Sequence, residues 1–550
     1  MAYGCAGCGL VVGGDIYQDK PPSSILDPLS KCNDPPSPLN RATLRREFEG
    51  LSGAIISLST TINQLQASID DLKSRRRELD VLVTAYKSVL NPCRQLPNEV
   101  LAEIFVLCTS GRDTNIPKRA NAPPENNSYP STLDTKQPPW VLGQVCARWR
   151  NLALSLPKLW STIDLSWSSK LTRDCHAPFI DRRLVQTLQR AGNSPLSVSL
   201  RQKSCRDTTL SILCSRAFQW KEAKICIPAD RLRILVPYNG MFSALSTLDL
   251  HLEGWDSAGG QGDVPDGVSV FHTASNLRAL TLTSDSPMPA RCVLQFPLHQ
   301  LTTLKLMPRD PFDARPAYEN LQTILPSLVN IEVCSFASFD FVLNPTKPRL
   351  TLSRLNCLEM VSKSSAIDAF LDSVTAPSLR ILEMSPRLSP VFVQFLKRSS
   401  CLIEDLVLGY VSNDVLVEVL KVKELQAVKY LAIAGPVGNR GPFRVDSVSD
   451  DVLRILTLQP TGEILFPQLQ RLALGGAKCC SDTALVDLLV SRRNISQFAP
   501  GTVSPLQRAR IRICVGEFGI AEEAAKSKLR GLIEGGLLVT ETPGGQAVVV

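Results

Sequence analysis

Between Leu44 and Leu90, apolar residues recur in alternating steps of four and three: Leu44, Phe48, Leu51, Ile55, Leu58, Ile62, Leu65, Ile69 and Leu72, then Leu79, Val83, Tyr86 and Leu90. Arg76 is the one polar residue in that register. A two-position seam sustained over so long a span predicts a coiled-coil helix over 41–91. Ile55, Ile62 and Ile69 occupy one seam position and Leu51, Leu58, Leu65 and Leu72 the other, the arrangement that favours two parallel strands. A homodimer through 44–90 is therefore expected; the alternative is a single helix laid against the rest of the chain. Asn91-Pro92 ends the helix, because proline disfavours helical geometry in the residue before it.

The period then changes. In "RQLPNEVLAEIFVLC", residues 94–108, Pro97 suits a first helical turn, and Val100, Leu101, Ile104, Phe105 and Cys108 make a broad apolar stripe. A polar, proline-dotted loop, 109–139, follows. Beyond it, "WVLGQVCARWRNLALSLPKLW" places Val141, Val145, Trp149 and Leu152 or Ala153 on a second helical face. The two helices read as halves of one small unit interrupted by the loop.

From Trp160 the chain repeats. The template L-x-x-L-x-L appears at 245, 277, 301, 328, 355, 379, 403, 428 and 469, with looser copies at 160, 195 and 222. Starts from 277 to 428 are 24, 27, 27, 24, 24 and 25 residues apart, the period of a leucine-rich repeat with one strand and one helix or loop per turn. Gaps before 469 and before "RARIRI" at 508 imply insertions. Segments such as "FIDRRLVQTLQRAGN" and "TALVDLLVSRRN" would supply the outer helices. The fold class expected is α/β: a coiled-coil helix, a small all-α unit over 93–160, then an irregular solenoid with a parallel sheet over 161–515. A capping helix and loose tail complete the chain over 516–550, and a disordered, proline-rich arm precedes it over 1–40.

Composition narrows the function classes. At 550 residues the chain is too long for one core. A net charge of +8 without any tract of five or six consecutive Lys or Arg gives nucleic-acid binding little electrostatic support. The N-terminus lacks the basic and apolar regions of a signal peptide, and no stretch is apolar enough for a membrane span, so an intracellular protein of cytoplasm or nucleus is expected. The 17 Cys are scattered and read as thiols. Cys5 and Cys8 form a CxxC without a second pair or matched His, so no metal and no cofactor is expected. His176, His251, His272 and His299 have no nucleophile or carboxylate at catalytic spacing, "GGAKCCSD" lacks phosphate-loop spacing, and the sequons at Asn126 and Asn494 carry no meaning without a secretory route. The chain is not expected to be an enzyme.

The helical unit resembles the F-box, whose pattern is a Leu-Pro start, an Ile-Phe helix, a Val-Cys-x-x-Trp helix and a terminal Trp. The matching positions are Leu96, Pro97, Glu99, Val100, Leu101, Ile104 and Phe105, then Val145, Cys146, Arg148, Trp149 and Trp160. With a heptad helix before it and Leu-rich copies after it, the layout is similar to the F-box proteins abundant in mushroom-forming fungi, although the 109–139 loop is longer than in a compact F-box. The resemblance implies a substrate receptor of a Skp/cullin/F-box ubiquitin ligase. Leu96, Pro97, Val100, Leu101, Ile104, Phe105, Val145, Cys146, Trp149 and Trp160 would bind a Skp-type adaptor, held in turn by a cullin with its RING subunit. The solenoid would recruit an unknown protein substrate. A coiled-coil, leucine-rich interaction scaffold unrelated to ubiquitination is the alternative.

The residue between the last two leucines of each copy should project from the strand. Reading that position gives Lys305, Glu332, Glu359 and Glu383, with Asp405 two places earlier in the next copy. The three glutamates would form a ladder of like charges able to receive a Lys- or Arg-rich substrate segment, or else be simply solvated.

Overall fold

The computed structural model describes residues 3–4, 11–12, 24–110, 132–166, 177–201, 207–253, 268–284, 288–308, 318–319, 321–337, 339, 341, 348–361, 365–384, 389–409, 413–433, 448–459, 464–476, 480–513 and 523–541. Cys5, Cys8, His176, Asn126, residues 1–2, 5–10 and 13–23 of the arm, residues 111–131 of the 109–139 loop and the tail from 542 lie outside them. No helix among the described residues is long and apolar enough to cross a membrane. The chain divides into two compact units, Met1–Val100 and Leu101–Val550.

The first unit is dominated by helix α1, Pro38–Val89, 52 residues and about 78 Å long at 1.5 Å per residue. Pro38 sits in its first turn, and the Ser37 hydroxyl accepts the Asn40 N–H at 3.3 Å, satisfying one of the amides that a helix start leaves open. None of its residues is buried. Phe48, Ile55, Ile62, Leu72, Leu79 and Tyr86 of the seam are exposed. Arg76 pairs with Asp80 at 3.7 Å along the helix surface. The stretch expected to be a disordered arm holds some local structure. Tyr3–Gly4 pairs antiparallel with Val11–Val12, and Leu26–Ser30 forms a single helical turn closed by a Lys31–Asp27 ion pair of 3.1 Å.

In the second unit, fourteen strands form one sheet in which every strand pairs, parallel, with the next in the chain. They are β1 Thr162–Ser166, β2 Leu196–Arg201, β3 Trp220–Pro228, β4 Thr247–Glu253, β5 Ala279–Ser284, β6 Thr303–Pro308, β7 Val333–Ala337, β8 Cys357–Val361, β9 Ile381–Met384, β10 Asp405–Leu408, β11 Tyr430–Ile433, β12 Arg471–Gly476, β13 Arg508–Ile513 and β14 Leu538–Glu541. The template leucines drive this order. In β4, for example, Leu248, Leu250 and Leu252 are buried and the residues between them are not, so one face is apolar and must be covered. Successive copies stack those residues against one another, Leu280 on Leu248 and Leu304 on Leu280, which builds a continuous core that no single copy could close.

Three readings of the repeat need correction. The copy placed at 328 is displaced by three residues: Ile331, Cys334 and Phe336 point inward, and Cys334 lies between Leu304 and Leu358 in register. The copy placed at 222 is also displaced, since Ala223 and Ile225 pair with Leu248 and Leu250. Nor does the solenoid end at 515, because β14 extends the sheet beyond helix Glu523–Glu534.

Crossovers differ along the sheet. From β3 to β7 they are mostly short 3-10 turns such as Ala229–Tyr238 and Val268–Thr273. From β8 onward they contain helices, among them Ala366–Ser373, Pro390–Ser399, Asn413–Leu420 and Asp482–Arg493. Side-chain amides tie several turns to the one before: Gln219 donates to Gly192 O at 2.8 Å, Gln300 to Ala274 O at 2.6 Å and Asn330 to His299 O at 2.8 Å. Arg492, 1% exposed, donates to Leu456 O, Leu465 O and Phe466 O at 2.7, 2.8 and 2.9 Å. It thus satisfies three carbonyls that no regular ladder reaches. Burial lowers its pKa to about 10.

Candidate functional site

Helix α2, Asn98–Ser110, begins at the end of the first unit and runs into the second. Its broad stripe separates into two sides. Leu101 and Phe105, four residues apart, are 1% and 0% exposed, and the Phe105 ring meets the edge of Trp149 at 4.9 Å. Ile104 at 39% and Leu107 at 68% stay in solvent, with Cys108 exposed beside them. Residues three and four apart share a helix side, so Ile104, Leu107 and Cys108 form an outward row. Of the predicted residues in the first unit, Leu96 is half-buried, and Pro97 and Val100 are exposed.

The second helical face is not continuous. Helix α3, Leu142–Val145, stops at Cys146, whose backbone is extended at φ −160° and ψ 170°. Cys146 then caps helix α4, Ala147–Ser155, its Sγ accepting the Trp149 N–H at 3.5 Å. The break turns Val145 outward, 59% exposed, rather than stacking it beneath Trp149. Leu142 and Ala153 supply the buried contacts, and Arg150 Nε donates to Gly143 O at 2.9 Å across the break.

Trp160 is buried as the first apolar residue of the first copy. Its Nε1 donates to Ala153 O at 2.8 Å, its ring meets Trp140 edge-on at 5.2 Å, and the Arg190 guanidinium lies 4.4 Å over it and 4.5 Å over Trp140. Part of the 109–139 loop joins this arrangement: Trp140 Nε1 donates to Thr132 O at 3.0 Å, and the Thr132 N–H donates to Asp164 O on β1 at 3.1 Å. The stretch therefore covers the edge strand of the sheet, which would otherwise leave backbone groups unpaired. Leu101, Phe105 and Trp160, expected to contact an adaptor, are buried within the chain, at 1%, 0% and 2% exposure. Leu107 and Leu154 are also exposed, and Leu107 lies three residues from Ile104 on the same helix side.

On the open face of the sheet, opposite the apolar one, the expected ladder is dismantled. Lys305, Ser335, Glu359, Glu383 and Val407 share one register row. Glu332 lies outside that row; its N–H donates to Thr302 O and its carbonyl accepts from Asn356 N–H, so its lateral neighbours carry no charge. Lys305 reaches across Ser335 to Glu359 at 3.9 Å. Glu383 stands directly beside Glu359, and burial, then that like charge, push its carboxyl above the ordinary range, with Lys305 opposing. Asp405 accepts from Arg471 Nη2 at 2.9 and 3.1 Å across the intervening strand, the guanidinium lying 4.8 Å over Tyr430. The partner of Asp405 lies 66 residues away, a separation that no local spacing marks.

No protein-family model matches the chain, and no curated protein matches it. Among solved structures, a chain in the crystal structure of the Rad7 and Elc1 complex in yeast is similar, with 13% sequence identity and a TM-score of 0.34, over 70% of this chain and 87% of that one.

Proposed function

We propose that the chain is a non-catalytic substrate-receptor subunit of a Skp/cullin/F-box type ubiquitin ligase. Residues 93–160 dock a Skp-type adaptor, which brings the cullin and RING subunits. The solenoid holds the protein to be modified, raising its local concentration beside the conjugating enzyme. The reading is carried by the outward row of α2. Ile104 and Leu107 remain in solvent although Leu101 and Phe105 already fill the inner side of the same helix, so the outer row has no packing role within the described residues. Apolar positions kept outward on a small unit mark an interaction surface. A specific interface needs about 1,000 Å² in total, more than two side chains supply, and exposed Val145, Cys146 and Leu154 extend the apolar area available.

The test is co-purification of a Skp-type adaptor with the full chain, backed by calorimetry on the purified pair. Ile104→Asp and Leu107→Asp should each abolish capture, because a charge placed in a desolvated contact without a partner costs several kcal/mol, while the melting temperature stays within a few degrees of the parent. Undiminished adaptor binding by both variants would remove the F-box reading.

A further inference from the structure

Three metal-ligating side chains from two adjacent strands converge on the open face, and none of them belongs to the helical unit. Cys226 of β3 is directly opposite His251 of β4, and Pro228 is opposite Glu253, so the sheet register brings the thiol, the imidazole and the carboxylate to one spot. One ligand atom from each lies within 4.8 Å of the other two, and Cys226 Sγ is 3.9 Å from a Glu253 carboxylate oxygen. All three are half-buried. Ile225, Ile227, Leu250 and Leu252, the residues that alternate with them, point into the core and fix the two strands against sliding, since a one-residue slip would turn them outward.

We propose that Cys226, His251 and Glu253 bind one Zn²⁺ ion with a fourth coordination position open to the solvent side of the sheet. The donor set is one soft thiolate, one imidazole and one hard carboxylate. Zn²⁺ accepts all three, at about 2.3 Å to sulfur and about 2.0–2.2 Å to nitrogen and oxygen, whereas Cu⁺ favours sulfur donors and Mg²⁺ and Ca²⁺ favour all-oxygen sets. A tetrahedral ion separates its ligand atoms by roughly 3.3–3.7 Å on those bond lengths, so side-chain rotation of about 1 Å closes the site without moving either strand. Binding takes the proton from the Cys226 thiol and releases it to solvent, leaving two negative ligands to neutralise the dication. The outward position takes water in the free chain and can accept a His, Cys or carboxylate from a bound protein. This site stands independently of the adaptor reading.

The experiment uses the full chain stripped with a chelator, titrated with Zn²⁺ against a chromophoric competitor and, in parallel, with Co²⁺. Expected are one equivalent of tight Zn²⁺, proton release on binding, and a thiolate-to-cobalt charge-transfer band. Cys226→Ser should abolish the band, while His251→Ala and Glu253→Gln should each weaken Zn²⁺ at least tenfold. Addition of imidazole should perturb the cobalt visible spectrum if the fourth position is open, and an unchanged spectrum overturns that part of the proposal. Melting curves of the metal-free variants control for folding. Cys5→Ser/Cys8→Ser, which removes the CxxC pair, should leave the stoichiometry at one. A chain without a charge-transfer band, or one whose band survives Cys226→Ser and vanishes with Cys5→Ser/Cys8→Ser, overturns the site.

Discussion

Ile104 and Phe105 are neighbours in sequence and opposite in consequence. Phe105 is buried against the edge of Trp149, so Phe105→Ala removes a filled volume together with a ring contact and should destabilise the second unit by about 3–5 kcal/mol. Chemical denaturation monitored by tryptophan fluorescence reads this directly, and a loss below about 1 kcal/mol would mean that the ring does not organise the helical unit. Glu383 carries a different cost. Its folded-state carboxyl titrates above the ordinary range, through burial and the adjacent Glu359, so the folded protein holds that proton more tightly than the unfolded chain does. Such a group contributes full stability below the unfolded value and loses it as pH rises through the folded one. Glu383→Gln should therefore stabilise the protein at pH 7, by up to about 1 kcal/mol for a directly opposed like-charge pair. The gain should vanish as the pH falls below about 4, where the parent carboxyl is protonated in both states. Equal melting temperatures of variant and parent at pH 7 would contradict this.

Among the elements, α1 has the most apolar surface without cover. Its seam residues from Phe48 to Tyr86 are exposed apart from half-buried Leu65, and none of its 52 residues is buried, although helices in proteins draw most of their stability from packing an apolar face. We propose a second copy of the same helix as the cover, because its heptad seam has the matching chemistry. The full chain should then scatter light as a dimer at micromolar concentration, and Ile62→Asp with Ile69→Asp should return it to a monomer without changing the melting of the solenoid. A monomeric parent would end the dimer proposal and require another cover for the seam. The strands show how far one element constrains the next. Shifting the copy at 328 to 331 makes its distances 30 residues from 301 and 24 to 355, and this places Ser335 rather than Glu332 between Lys305 and Glu359.

At the scale of the molecule, the second unit is a one-dimensional stack in which each copy's strand pairs only with those of its neighbours, while the ion pairs Lys305–Glu359 and Asp405–Arg471 each bridge one intervening copy. Copies beginning at 355, 379 and 403 are 24 residues apart, and Leu379 and Ile403 occupy the same buried position. Deleting 379–402 joins equivalent points of successive turns. The shortened chain should fold with native-like circular dichroism, melting below the parent because one nearest-neighbour interface is lost. A deletion variant that is unfolded at room temperature would show that the turns are not interchangeable.

The parallel solenoid was legible because its signal is local and repeated: apolar residues at fixed spacing recur in copy after copy, and errors in one copy leave the others standing. The long helix was legible for the same reason, since a seam is a period and period is a property of sequence. Where a copy carries Cys and Phe in place of Leu, as at 334 and 336, a neighbouring Leu328 and Ile331 imitated the template, and only pairing with β6 and β8 settled the register. The helical unit was legible as two apolar faces, but not which side of each is used up internally. That division depends on Cys146 breaking the second face and on Trp149 arriving under Phe105, contacts made across a loop. Pairings such as Lys305 with Glu359, Asp405 with Arg471, and the meeting of Cys226, His251 and Glu253 are likewise products of strand stacking. Sequence fixes what repeats along one dimension; which charged and ligating side chains meet is decided when parallel strands about 4.8 Å apart bring distant residues into one row.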